Sequence, residues 1–287
     1  MSPSVCIVTP GYLSSTPRVV KEADALQAAG MAVRVVHTWG RLDRKRRHDR
    51  DLLQGKDWAV DTVKWSPDRL GELSTYVRYT AQHRLAQWMP TGLWPATRVA
   101  EQVQHRVYPV LARRVAEESA DLYIGHYPTG LAAAAYAAEE HGALLGYDAE
   151  DYHVGQQPNN PSRVERTDFL ERRYLSECAH VTAASEGIAS ALADRYDIDR
   201  PLVVHNMFPW AERETLNEKA KDREGKALSL CWFSQAVGLN RGLQDAIRAA
   251  GLLDTPVQLH FRGGLPDEVE RELTSLAEEG GVAEQLH

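Results

Sequence analysis

Cysteine is scarce: Cys6, Cys178 and Cys231 are the only three in 287 residues, and no two of them stand at a spacing that a metal site or a redox pair would use. A disulfide framework is therefore excluded, and the three are expected to be small core residues of a reduced, cytoplasmic protein. The N-terminus, MSPSVCIVTP, has no basic stretch followed by an apolar one, so no secretory signal is read there. No uninterrupted apolar run approaches the ~20 residues that a bilayer span needs. The P-loop lysine signature, the Gly-x-Ser-x-Gly elbow and an intact Gly-x-Gly-x-x-Gly are all missing. Their absence argues against a P-loop NTPase and an α/β-hydrolase and, with only Gly11 in the first βα turn, against a nicotinamide or flavin enzyme. Basic charge is also in deficit. A net charge of -7 and a pI near 5.9 leave no footprint for general nucleic-acid binding.

What is present is alternation of strand and helix signals. Val5–Thr9 reads as a buried strand and Pro10–Ser15 as a loop. Thr16 is placed to cap a helix with Pro17 at its first position, and Val19, Val20, Ala23 and Leu26 line one face up to Gly30. Ala32–His37 is the next strand, which completes a βαβ unit and predicts a parallel sheet with a right-handed crossover. Helical patterns follow over Gly71–Met89 and Ala96–Glu118, broken by PTGLWP, with Trp88, Trp94 and Tyr108 expected in the core. Then come the strand Asp121–His126, the alanine-rich helix Leu131–Glu140, and the strand Ala143–Tyr147. The polar run Asp148–His153 and the loop Gly155–Pro161 lead to a helix over Ser162–Cys178. His180–Ala184, Ser185–Tyr196 and Pro201–His205 read as strand, helix and strand. Residues 1–206 thus form one doubly wound domain, residues 207–226 a charged linker, and residues 227–287 the start of a second α/β domain.

The second segment opens with LSLCWFSQAVGLNRGLQDAIRAAGLL. An apolar strand, Leu228–Phe233, runs through a turn to a helix whose Leu243, Ala246, Ile247 and Ala250 share a face. Arg241 and Gly242 stand at the helix start, where free N–H groups and the macrodipole favour an anion, so a phosphate seat is a candidate reading beside an ordinary βα turn. In the first domain two predicted strand ends carry ionisable groups, His126 and the cluster Asp148, Glu150, Asp151 and His153. Ligands of open α/β sheets collect at such ends. A metal is not assigned to Asp-x-Glu-Asp-x-His, because its ligands come from a single loop at irregular spacing. The basic run Arg41–Arg50, RLDRKRRHDR, reads as a solvated loop, with anionic lipid head groups or an anionic acceptor as the sharper alternative.

In their order along the chain these segments resemble the retaining GT-B glycosyltransferases of the large "group 1" set. The likeness is carried by IVTPGYLSSTPRVVKEADAL, DLYIGHYPTGLAAAA, YDAEDYH, VTAASEGIASALADRY, VVHNMFP and WFSQAVGLNRGLQDAI. It implies an α/β fold of two Rossmann-like domains, the first on the acceptor side and the second on the donor side. It also implies transfer of a sugar from a nucleotide-diphosphate sugar to a hydroxyl (of a sugar, a lipid-linked or a polysaccharide precursor), with no metal and no further cofactor. His126 falls where members position the transferred sugar. Gly11 lies in the loop that approaches the donor phosphates, Arg241 and Gly242 at the diphosphate, and Gly263 and Gly264 at the glycine turn beside the nucleotide. Arg18, Asp148, Glu150, Asp151 and His153 are the acceptor-side candidates.

Two departures accompany the likeness. Ser234 and Gln235 replace the Gly-Arg that members often carry after the first donor-domain strand. The family's Glu-rich donor-sugar motif and final crossing helix have no counterpart before His287. The expectation is therefore a fragment with an incomplete second domain, itself inactive, cytoplasmic or peripheral at a membrane's inner face. A nucleotide-sugar epimerase and a non-catalytic binding or scaffold protein are the rivals, and the sequence fixes no oligomeric state.

Overall fold

The computed structural model describes residues 2–89, 92, 99–156, 160–215, 228–239, 241–255 and 257–287. They fall into two compact units, Met1–Met207 and Phe208–His287. Trp94, Asn240, most of the PTGLWP break, positions 157–159 of the next loop and 216–226 of the linker lie outside the described residues.

The first unit is built on a seven-stranded parallel sheet in the order β3-β2-β1-β4-β5-β6-β7. The strands are β1 (Ser4–Val8), β2 (Ala32–Trp39), β3 (Ala59–Lys64), β4 (Leu122–His126), β5 (Leu144–Ala149), β6 (His180–Ala183) and β7 (Leu202–Val203). The order reverses between β1 and β4, which makes their carboxyl ends the topological switch point. Val5 and Ile7 of β1 bury against α1 (Pro17–Ala28), while Cys6 and Val8 bury on the opposite face. Apolar residues on both sides of one strand are what a sheet covered on two faces requires.

The helix α1 ends as its sequence dictates. Gly30 takes φ 86°, its N–H reaches the Gln27 carbonyl at 2.9 Å, and the Met31 N–H reaches Leu26 at 3.1 Å. This paired closure depends on a residue with no Cβ strain in the left-handed region.

The edge strand β3 is absent from the sequence reading. Its run AVDTVK mixes Asp, Thr and Lys into the apolar pattern and leaves Val60 exposed, as a strand paired on one side only can afford. The basic segment is not a loop but the helix α2 (Asp43–Leu52), which buries Arg46 and Asp49. A charge block hides this arrangement because the buried positions are themselves charged. The Asp49 carboxylate accepts from the backbone N–H of Leu13 at 3.3 Å and Ser14 at 2.8 Å, and from Trp39 Nε1 at 2.8 Å. Arg46 Nε donates to the Gly40 carbonyl at 2.8 Å, while its Nη1 and Nη2 hold Glu72 at 2.8 and 2.6 Å. Glu72 belongs to α3 (Leu70–Ala86); Trp88, in the turn just past its end, is 89 % exposed rather than in the core, whereas Tyr108 is buried.

After α4 (Val99–Gln104) and α5 (Tyr108–Val115), the chain enters β4 and then α6 (Tyr127–His141). A Cβ on Gly125 would lie 2.4 Å from the Leu131 Cα, and one on Gly130 would lie 2.6 Å from the Val8 carbonyl oxygen. These two glycines therefore let α6 sit directly on the sheet. The remaining helices are α7 (Pro161–Tyr174) and α8 (Glu186–Tyr196). The expected helix to Cys178 breaks at Tyr174 into a 3-10 turn over Leu175–Glu177. Of the cysteines, Cys6 is buried, Cys178 half-buried and Cys231 exposed, so the core expectation fails for the last.

In the second unit β8 (Leu228–Ala236) and β9 (Val257–Gly264) pair in parallel. The helices α9 (Leu243–Gly251) and α10 (Asp267–Glu279) supply Leu243, Ile247, Leu273 and Ala277 to a small core with Val257 and Leu259. Leu286 bridges to Leu259 in the same parallel sense.

Candidate functional site

The carboxyl edge of the first sheet gathers five charged side chains into one network. His126 ends β4, beside Asp148 at the end of β5. It is completely buried. Its Nε2 lies 2.7 Å from Glu22 Oε2, and its Nδ1 lies 2.9 Å from Glu150 Oε1 and 3.4 Å from Asp148 Oδ2. Burial opposes a charged imidazole, but the hydrogen bonds to Glu150 and Glu22 and the nearby Asp148 charge outweigh it and raise the His126 pKa to about 10. At neutral pH His126 is therefore an imidazolium that donates from both ring nitrogens.

Asp148 is held by a fork. Arg18 Nε donates to Oδ2 at 2.7 Å and Nη2 to Oδ1 at 2.5 Å, while Thr182 Oγ1 donates to Oδ1 at 2.5 Å. Burial works against its charge, yet Arg18, His126 and Thr182 keep its pKa below the usual carboxylate value. The third nitrogen of Arg18, Nη1, donates to the Val204 carbonyl at 2.5 Å. One turn along α1, Lys21 donates to Asn206 Oδ1 at 3.1 Å and to the Met207 carbonyl at 2.7 Å. The same α1 face, with Thr182 and the segment Val204–Asn206, lines an open cleft of about 350 Å³.

Among the described residues, donor atoms of His126, Asp148 and Glu150 come within 4.8 Å of one another. Asp148 is already gripped by the Arg18 guanidinium, and the two ring nitrogens of His126 face Glu22 and Glu150. The arrangement is an ion-pair network of two cations and three carboxylates, with the low-dielectric interior on one side and the cleft on the other.

The structure brings together Arg18, His126, Asp148 and Glu150 but separates the other two acceptor-side candidates. Asp151 is exposed. His153 turns toward Tyr127 at 5.3 Å between ring centroids and toward Gln156 at 3.3 Å, and burial lowers its pKa. Tyr127 follows His126 directly with φ 62°, and its hydroxyl donates to Glu150 Oε2 at 3.3 Å. A non-glycine residue in the left-handed region carries strain of order 1–3 kcal/mol, a feature that clusters at functional sites. Sequence reasoning missed Glu22, Lys21 and Thr182. The signal for Glu22 was available, since Arg18 and Glu22 stand four apart and share a face of α1.

Gly11 is half-buried, and a Cβ there would meet nothing within 4 Å, so the position borders open space. In the second unit Arg241 is exposed immediately before Gly242, which caps α9 with φ 79°. The Gly264 carbonyl accepts from the Val237 N–H at 2.8 Å, and a Cβ on Gly263 would lie 2.6 Å from the Ser234 carbonyl. The glycine pair thus brings the end of β9 against the loop that precedes α9.

No protein-family model matches this chain, and no curated protein matches it. Solved structures do. Sucrose-phosphate synthase from Thermosynechococcus elongatus superposes with a TM-score of 0.61 at 12% identity, over 99% of this chain and 69% of that one. A putative UDP-N-acetylglucosamine 2-epimerase from Listeria monocytogenes gives 0.57 at 14%, over 100% and 68%. The Anabaena protein HepE, solved with UDP-glucose, gives 0.53 at 13%, over 99% and 67%. At these identities the likeness establishes the fold, which is of the GT-B type with a Rossmann-like first domain.

Proposed function

We propose that this chain belongs to a nucleotide-sugar-dependent glycosyltransferase, with residues 1–206 on the acceptor side and residues 227–287 opening the donor side. The observation that carries the proposal is the buried His126 network at the switch point of a GT-B-type sheet, beside an open cleft. Such a network holds charges in fixed directions without solvent reorganisation, the property that stabilises charge developing at a reacting centre. His126, protonated at neutral pH, is not a general base. It fixes Glu22 and Glu150, and so acts as a positioning residue. In the second unit Arg241 and the N-terminus of α9 are proposed as the seat of the donor diphosphate, and the glycine turn at Gly263 as its neighbour. Retention of configuration, a hydroxyl acceptor and independence from metal are part of the same reading.

Nucleotide binding is the primary test because it requires only the phosphate seat. Nucleoside diphosphates should raise the unfolding temperature of the 287-residue chain, and Arg241→Ala should abolish that shift. If no nucleoside diphosphate or nucleotide sugar binds, the donor assignment is wrong. A second reading, nucleotide-sugar epimerisation, is favoured by the epimerase among the structural neighbours and by a carboxylate-rich site suited to proton transfer. Proton NMR of the donor separates them. Isomerisation without an acceptor supports the epimerase, whereas acceptor-dependent release of nucleoside diphosphate supports transfer.

A further inference from the structure

The helix α3 has two contrasting faces. Tyr79 and Ala86 are buried, Tyr76 stacks on Trp65 at 5.9 Å, and His83 Nδ1 meets the Gln102 carbonyl at 2.7 Å. These four positions cluster on one side at 100° per residue, and they anchor the helix. Opposite them Leu70 (93 % exposed), Val77 (56 %) and Leu85 (71 %) form a row facing solvent, and Trp88 (89 %) follows in the turn just past the helix. From Leu70 to Leu85 the row is about 22 Å long at 1.5 Å per residue. Leu73 and Ala81, also exposed, lie in the gaps between them; singly exposed apolar residues need no explanation, but a stripe of them marks a surface that something covers.

The charge around this row identifies what covers it. Residues 41–89 hold eleven Lys and Arg against seven Asp and Glu, a net of +4 in a chain whose total is -7. The acidic residues are largely consumed: Asp49 is buried, and Asp43, Asp68 and Glu72 are paired with Arg69, Arg41 and Arg46. These pairs also tie α2 and the turn before α3 to one side of the unit. Arg44, Arg47, Arg78 and Arg84 have no ion-pair partner among the described residues, and all four are exposed. An apolar helix face with a Trp just past its end, flanked by the exposed Arg78 and Arg84, has the composition of an interfacial segment. No helix of the described residues is long and apolar enough to cross a membrane.

We infer that the outer face of α3 docks on an anionic lipid surface, the apolar row entering the head-group region and Arg78 and Arg84 beside it contacting phosphate. This inference does not depend on the glycosyl-transfer reading. It is tested by co-sedimentation of the whole chain with phosphatidylcholine vesicles, with and without phosphatidylglycerol. Binding is expected only with the anionic lipid and is expected to fall as salt is raised. Arg78→Ser with Arg84→Ser should weaken it roughly thirty-fold, at about one tenfold step per 1.4 kcal/mol and about 1 kcal/mol per arginine. Val77→Asp with Trp88→Ser should reduce it to background while leaving the urea unfolding midpoint unchanged. Brominated lipid should quench part of the Trp emission, and Trp88→Phe should remove that part. No binding to anionic vesicles at low salt overturns the inference, as does binding that survives Val77→Asp with Trp88→Ser. It is equally overturned if the chain self-associates through this face in solution and Val77→Asp disperses the dimer.

Discussion

Removal of the buried cation at His126 gives the most direct test of the network. The side chain is fully buried, and its pKa rises from 6.5 to about 10 in the folded protein. A rise of that size corresponds to roughly 5 kcal/mol, at about 1.4 kcal/mol for each tenfold change in proton affinity. Because the folded-state value is raised, this stabilisation is fully present below pH 6.5, declines as the unfolded histidine loses its proton, and vanishes as pH passes about 10. The same perturbation can be approached from the partners. His126→Gln leaves Glu22 and Glu150 with a neutral neighbour, and removing one member of a buried ion pair costs about 3–5 kcal/mol. The two routes agree. Urea unfolding of wild type and His126→Gln should therefore show a gap of about 3–5 kcal/mol at pH 6, closing by roughly 1.4 kcal/mol per unit toward pH 10. A pH-independent gap, or an imidazole that titrates near pH 6.5 by NMR, would refute the reasoning.

Glu171 should behave in the opposite sense. Burial raises its pKa from 4.5 to about 7, against hydrogen bonds from Tyr196 and Tyr147 that lower it, so its ionisation weakens the fold as pH rises through that window. Glu171→Gln should accordingly stabilise the protein at pH 8 and give little gain at pH 4.5, as read by urea midpoints. Gly125→Ala places a Cβ 2.4 Å from the Leu131 backbone and should cost about 3 kcal/mol, measured by denaturation. Asp49→Ala should raise amide exchange at Leu13 and Ser14 and destabilise by about 2–3 kcal/mol, since three donors lose one buried acceptor.

The parts of the fold visible in the sequence are those where apolar period and burial coincide. β1, α1 and β2, and the unit from β4 to α8, carry their patterns openly, as do Thr16-Pro17 and Gly30 at the ends of α1. Where charge itself is buried, the pattern inverts. Arg46 and Asp49 lie inside α2, so a helix reads as a solvated basic loop. Trp88 fails in the other direction: as a large aromatic it is expected in the core, and the turn after α3 leaves it on the outside. The site divides in the same way. His126, Arg18, Asp148 and Glu150 were identifiable from strand ends and resemblance. Thr182 becomes visible only when β5 and β6 are set side by side in register, whereas Glu22 was readable from its four-residue spacing to Arg18 on α1. Asp151 and His153 were grouped with Asp148 by proximity in sequence, yet a strand end followed by a 3-10 turn sends neighbouring side chains in different directions.

Arg18 carries a consequence beyond holding Asp148. A guanidinium is rigid and planar, and here its three nitrogens are divided between a carboxylate at the end of β5 and the Val204 carbonyl just past β7. One flat group therefore joins two pieces of chain that are 56 residues apart in sequence. If the segment beyond Val203 shifts, the plane must tilt on Asp148 or release Val204, because the fork cannot bend to keep both. Fluctuations of that exit segment and of the charge network are coupled through a single side chain. Lysine at this position would keep the charge and lose the coupling.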